Sequence, residues 1–120
     1  LKLAKSKTSG VYTTPVLGVT GDKKLSFYAV GWSGIDSKVY VRVNNGGSVS
    51  PASVDVTANS GFSGNSDTYT MTLTDSDYYT FELKDLTATS TLTISTSATF
   101  EAGTDSANKS RAGIIGLQIY

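Results

Sequence analysis

The sequence contains no cysteine and no histidine. Without His, it lacks the side chain most used for acid–base chemistry near neutral pH and the commonest metal ligand. Without Cys, it has no disulfides, no thiolate nucleophile and no thiolate metal site. That absence fits the cytosol and fits equally a secreted bacterial domain held by core packing. Charge is sparse and balanced, with Lys plus Arg at 10 and Asp plus Glu at 10. Balance argues against a nucleic-acid partner or an anionic membrane surface, since both require a basic excess. Lys2, Lys5 and Lys7 gather near the start and read as a solvated strand edge rather than a binding arm. No stretch is apolar for long enough to cross a bilayer, so no membrane insertion is expected of this segment. No secretory leader is visible, because Leu1 opens directly into strand-like sequence. Heavy use of Ser, Thr, Gly and Asn with little charge suggests an extracellular bacterial module. The chain reads as a single domain, residues 1–120, trimmed from a longer secreted or surface protein whose other domains would be its neighbours.

What the sequence does have is two-residue periodicity. Leu25, Phe27 and Ala29 alternate with other residues, as do Val39, Val41 and Val43. Tyr69, Met71 and Leu73 repeat the pattern, followed by Tyr79, Phe81 and Leu83. It returns at Leu92 and Ile94, and at Ile115, Leu117 and Ile119. Successive side chains on a strand point to opposite faces, so this spacing gathers apolar groups on one side. No segment holds a helical period. The expected fold is all-β: an antiparallel two-sheet jelly-roll sandwich of roughly eight or nine strands with essentially no helix.

The expected strands are Leu1 to Leu3, Val11 to Val19 (interrupted by Pro15), Lys24 to Trp32, Lys38 to Asn44, and one around Val54 and Val56. Thr68 to Thr74 and Tyr78 to Lys84 should form a hairpin about Asp75, Ser76 and Asp77. Ser90 to Thr96 and Arg111 to Tyr120 complete the set. Asn45, Gly46 and Gly47 offer the positive-φ residues of a tight hairpin reversal. Ala58 to Ser66 and Ala98 to Lys109 read as polar loops centred on Phe62 and Phe100.

Catalysis finds little support. The only Glu residues are Glu82, on the outward face of a strand, and Glu101, in a loop. The Asp residues sit in or beside turns, where Asp is a standard turn former. Ser residues have no base to activate them, and no G-x-S-x-G turn occurs. The sequence is expected not to be an enzyme. Asp22, Asp36 and Asp105 stand in Gly-containing loops. They are the candidate ligands for a structural calcium, which takes oxygen donors. Turn chemistry explains the same residues more simply.

Aromatic side chains are the better handle. Sugar rings pack their C–H faces on Trp and Tyr while polar neighbours meet the hydroxyls. Trp32, Tyr40 and Arg42 would form such a platform if the outer faces of their strands adjoin, with Phe62 as a loop contact. The alternative makes Trp32 a plug at the end of its strand and Phe62 a loop anchor.

Three stretches read together carry a family resemblance. They are Leu1-Lys2-Leu3 with Gly10-Val11-Tyr12-Thr13-Thr14-Pro15, then Lys24 through Gly34, then Tyr78 to Leu83, Thr91 to Ile94 and Ser110 to Ile115. In this order they resemble the galactose-binding-like jelly-roll modules of secreted proteins and surface lipoproteins from gut-dwelling Gram-negative anaerobes. The resemblance implies a non-catalytic β-sandwich attached to glycan-processing or adhesive proteins, frequently binding carbohydrate and in some members holding calcium. Such relatives commonly carry an acidic pair near the end of the last strand, where this chain has Ile115-Gly116. The function expected is therefore extracellular glycan recognition. A structural or protein-interaction domain without a small ligand is the alternative.

Overall fold

A computed structural model describes residues 1–64 and 69–120. The strands are β1 (Lys2–Leu3), β2 (Val11–Thr13), β3 (Gly21–Gly31), β4 (Ser37–Asn44), β5 (Ser48–Ser50), β6 (Ser53–Val56), β7 (Tyr78–Leu86), β8 (Thr91–Ser95) and β9 (Ala112–Ile119). One sheet has five strands in the order β1-β9-β3-β7-β5, and the other has four in the order β2-β8-β4-β6. Every named strand pairing is antiparallel. This is the two-sheet sandwich that the periodicity predicts. Odd-numbered strands form the larger sheet and even-numbered strands the smaller, so each connection between described strands crosses from one sheet to the other.

That crossing corrects the expected hairpins. Asn45, Gly46 and Gly47 do take positive φ, at 62°, 110° and 107°. They carry the chain from β4 in one sheet to β5 in the other rather than into a paired neighbour. The segment expected as a strand from Thr68 to Thr74 forms no ladder over residues 69–74. Thr68 itself, with the end of the expected loop at Ser66, lies outside the described residues. Tyr69, Met71 and Leu73 are still half-buried while Thr70, Thr72 and Thr74 are exposed. Alternation there reports a face, not a pairing. A short 3-10 turn, Asp75–Asp77, leads into β7, closed by the Asp77 carboxylate accepting from the Thr74 amide at 3.0 Å. Only Val11–Thr13 of the expected second strand is regular. Past Pro15 the chain keeps beside β8 through single bonds, such as the Leu17 amide to the Ser90 carbonyl.

The core is the predicted set. Leu25, Phe27 and Ala29 of β3, Val39 and Val41 of β4, Phe81 and Leu83 of β7, and Leu92 and Ile94 of β8 are all buried and packed together. Phe27 and Phe81 stack with ring centroids 5.2 Å apart. Two bulges change parity. Between Gly21 and Lys23 of β3, β7 carries an extra residue around Asp85, whose φ is 56°. Leu86 therefore turns inward although Phe81 and Leu83 precede it on odd positions. In β9 the register shifts opposite Ser26–Tyr28, where Gly116 has φ 67°. Ala112 and Ile114 face the core before the bulge and Ile119 after it. Ile115 and Leu117, expected inside, are respectively half-buried and exposed.

Candidate functional site

β3 and β4 belong to different sheets. The anticipated single platform of Trp32, Tyr40 and Arg42 is therefore split between two outer faces. On the larger sheet, Tyr28, Val30 and Trp32 point away from the core, and the Tyr28 ring lies 4.9 Å from that of Tyr78. Trp32 follows the last residue of β3 and is enclosed. Phe62 and Tyr69 meet it edge-on at 5.0 and 6.3 Å. Arg111 lies 4.1 Å from the ring centroid and the Lys2 ammonium 4.7 Å. Burial, and then the neighbouring Arg111 charge, lower the Lys2 pKa. Arg111 is 8% exposed, and its Nε has no hydrogen-bond partner among the described residues. Stacking on the indole offsets part of that desolvation.

Phe62, expected as a ligand contact, is 2% exposed. It packs over Gly113, where an added Cβ would come within 3.3 Å of its ring. Its carbonyl accepts from the Ser33 amide at 2.9 Å. Phe62 thus pins the β6–β7 connection onto the sheet and offers little surface to a ligand.

The smaller sheet presents Lys38, Tyr40, Arg42 and Asn44 on its outer face, because Val39 and Val41 take the inner one. Phe100, from the long connection after β8, reaches this face. Its ring is 6.2 Å from Tyr40, edge-on, and 4.5 Å from the Arg42 guanidinium carbon. The Arg42 Nε donates to Asn44 Oδ1 at 3.0 Å, and Asn44 Nδ2 donates to Thr91 and Thr93 hydroxyls at 3.2 and 2.9 Å. Asn44 thereby fixes the guanidinium against the Phe100 ring. Beside Tyr40 opens a hollow of about 510 Å³, walled among others by Lys38, Asp55, Thr96, Lys109 and Ser110. Lys38 and Asp55 sit 3.5 Å apart at its rim. Such an exposed pair contributes little to stability but keeps both charges in place over the hollow.

Tyr40 and Arg42 were legible as one face from their spacing alone. Phe100 was visible only as an aromatic in a polar loop. Lys2, Arg111 and Tyr69 around Trp32 were not anticipated, since no local pattern ties them to it.

The carboxylates considered for calcium have protein partners. Asp22 Oδ1 accepts from the Asp85 amide at 3.1 Å and so clamps the β7 bulge. That hydrogen bond is the main reason its pKa lies below the ordinary carboxylate value. Asp36 Oδ1 accepts from the Ala58 amide at 2.9 Å, tying the β3–β4 loop to the chain after β6. Asp105 Oδ2 accepts from the Lys109 amide at 2.7 Å. Among the described residues no three acidic groups converge. Asp22 precedes most of β3 and Asp36 follows it, so these two do not share a site.

Asp105 is also held below its ordinary pKa of 3.8, first by a Ser110 hydroxyl bond and then by the Lys109 amide. A depressed carboxylate contributes stability that is present above the ordinary value and lost as pH falls through the lower, folded one. Asp105→Asn is expected to flatten the fall of Tm below about pH 4. Thermal melts of both proteins across that range check it; parallel curves would refute the clamp.

No helix of the described residues is long and apolar enough to cross a membrane. Comparison of the chain with protein-family models, with curated proteins and with solved structures returns no match.

Proposed function

We propose that this chain is a non-catalytic carbohydrate-binding module of a secreted or surface-attached protein. Its binding face is the outer side of the smaller sheet. The observation that carries this reading is the grouping of Tyr40, Phe100 and Arg42 beside an open hollow. A pyranose ring stacks an apolar C–H face on an aromatic ring and leaves its hydroxyls for polar neighbours. The hollow offers both kinds of neighbour: ammonium donors from Lys38 and Lys109, and carboxylate acceptors from Asp36 and Asp55. Its charges balance, which suits a neutral sugar. Its volume falls within the usual range of small-molecule sites, about 300–1,000 Å³. The resemblance to galactose-binding-like modules supports the same reading.

A glycan array followed by calorimetric titration tests it. The wild type is expected to bind a neutral polysaccharide or mucin glycan. Tyr40→Ala and Phe100→Ala are each expected to weaken binding about tenfold, or about 1.4 kcal/mol. No binding to any neutral glycan would count against the proposal, as would full affinity in both variants.

A second reading, a structural or protein-interaction domain, draws on the enclosure of Trp32. Its ring is occupied by Lys2 and Arg111, so the single Trp serves the fold. Fluorescence quenching separates the two readings further. Weak quenching of Trp32 by iodide together with glycan binding places recognition on Tyr40 and Phe100.

A further inference from the structure

We infer that the free edge of β9 is a self-association surface, at which a second copy of this chain pairs antiparallel about Gln118. β9 lies between β3 and the two-residue β1. Leu1 and Ile114 exchange both backbone hydrogen bonds, at 2.9 and 2.7 Å. There the ladder on that side stops. Lys24 and Tyr120 exchange both bonds on the β3 side, at 2.7 and 3.0 Å. Backbone groups alternate sides along a strand, so those of Leu117 and Ile119 face away from β3. Among the described residues nothing pairs with them.

The side chains continue the argument. Below this edge the sandwich is open. Leu1, Tyr12, Thr14, Ile114, Gly116 and Leu117 line an apolar seam of about 350 Å³ between β9 and β2. Leu117 and Tyr12 are each 36% exposed there. A hydrocarbon seam under a row of unpaired amides has one chemically matched occupant, an extended strand with apolar residues at alternate positions.

Natural sheets protect their edges with charge, proline or brevity. The other edges here do so. β1 has only two residues and carries Lys2. β5 has three and is ended by Pro51. β2 also has three, with Pro15 close behind. β6 carries Asp55, paired with Lys38. β9 is long, and Ala112 to Tyr120 contains no charged residue and no proline.

The same composition selects a second copy as the occupant. A two-fold contact sets each residue against its own equivalent or a near neighbour, so a charged strand would repel itself. This strand has no charge to repel. In the register centred on Gln118, Leu117 of each copy exchanges both bonds with Ile119 of the other. Gly116 then lies opposite Tyr120, clear of β1, which has ended opposite Ile114. Leu117 and Ile119 point into the seam, and contact between the copies closes it. Gln118 meets Gln118 on the outer side, where it is exposed. The outer face of the smaller sheet stays open.

Sedimentation velocity over a wide concentration range tests the pairing. The wild type is expected to form a dimer as concentration rises. Gln118→Lys and Gln118→Glu, each placing like charges across the two-fold axis, are expected to weaken dimerisation about threefold to fivefold. An equimolar mixture of the two is expected to restore it through a hetero-pair. Unchanged circular dichroism in both variants controls for folding, which an exposed side chain should not disturb. A wild type that stays monomeric throughout overturns the inference and leaves the edge to a strand from another protein. Dimerisation unaffected by either variant, or a mixture that fails to recover, also overturns it.

Discussion

Phe81→Ala is expected to destabilise the domain by about 3–5 kcal/mol. Urea denaturation should show the midpoint falling with the slope unchanged. Phe81 is fully buried in β7 and stacks on Phe27 of β3 at 5.2 Å. Those strands are paired over most of their length, from Lys23↔Leu83 to Tyr28↔Tyr78. Truncation leaves a void that neighbours held in two ladders cannot collapse to fill. A domain of this kind is stable by only about 5–15 kcal/mol, so the loss is a large share of the total. Phe81→Leu keeps most of the volume and is expected to cost about 1 kcal/mol. A loss below that in the Ala variant would show that the ring pair is not central to the core.

The second large effect lies outside the main core. Phe62→Ala is expected to cost about 3 kcal/mol and to red-shift Trp32 emission. Phe62 fills the space between Trp32, Tyr69 and Gly113 on the outer face of the larger sheet. Without the ring, water reaches the indole and the connection loses its anchor. The damage should be regional, because this satellite cluster is separate from the inter-sheet core. Hydrogen exchange is expected to accelerate at the Ser33 amide, which donates to the Phe62 carbonyl, and not in β7 or β8. Uniform acceleration across both sheets would refute a separate satellite. Glycan affinity at Tyr40 and Phe100 should be unchanged, since those rings sit on the other sheet.

The sequence by itself determined the class of fold and most of the inward-facing residues. Leu25, Phe27, Val39, Val41, Phe81, Leu83, Leu92 and Ile94 were assigned by alternation, and all are buried. A strand's two faces follow from its own chain geometry, so local spacing is enough. It also placed Tyr40 and Arg42 on one face, for the same reason. Tertiary structure decided the rest. The bulges near Asp85 and Gly116 reversed parity, bringing Leu86 and Ile119 inward and leaving Leu117 outside. A bulge is defined by the partner strand's register, which no window of one strand contains. Tyr69 to Leu73 kept its alternation without a ladder, because pairing needs a free neighbouring edge. Above all, successive strands cross between sheets. That topology set Trp32 beside Lys2 and Arg111, set Phe100 against Tyr40, and divided the one platform that spacing had suggested.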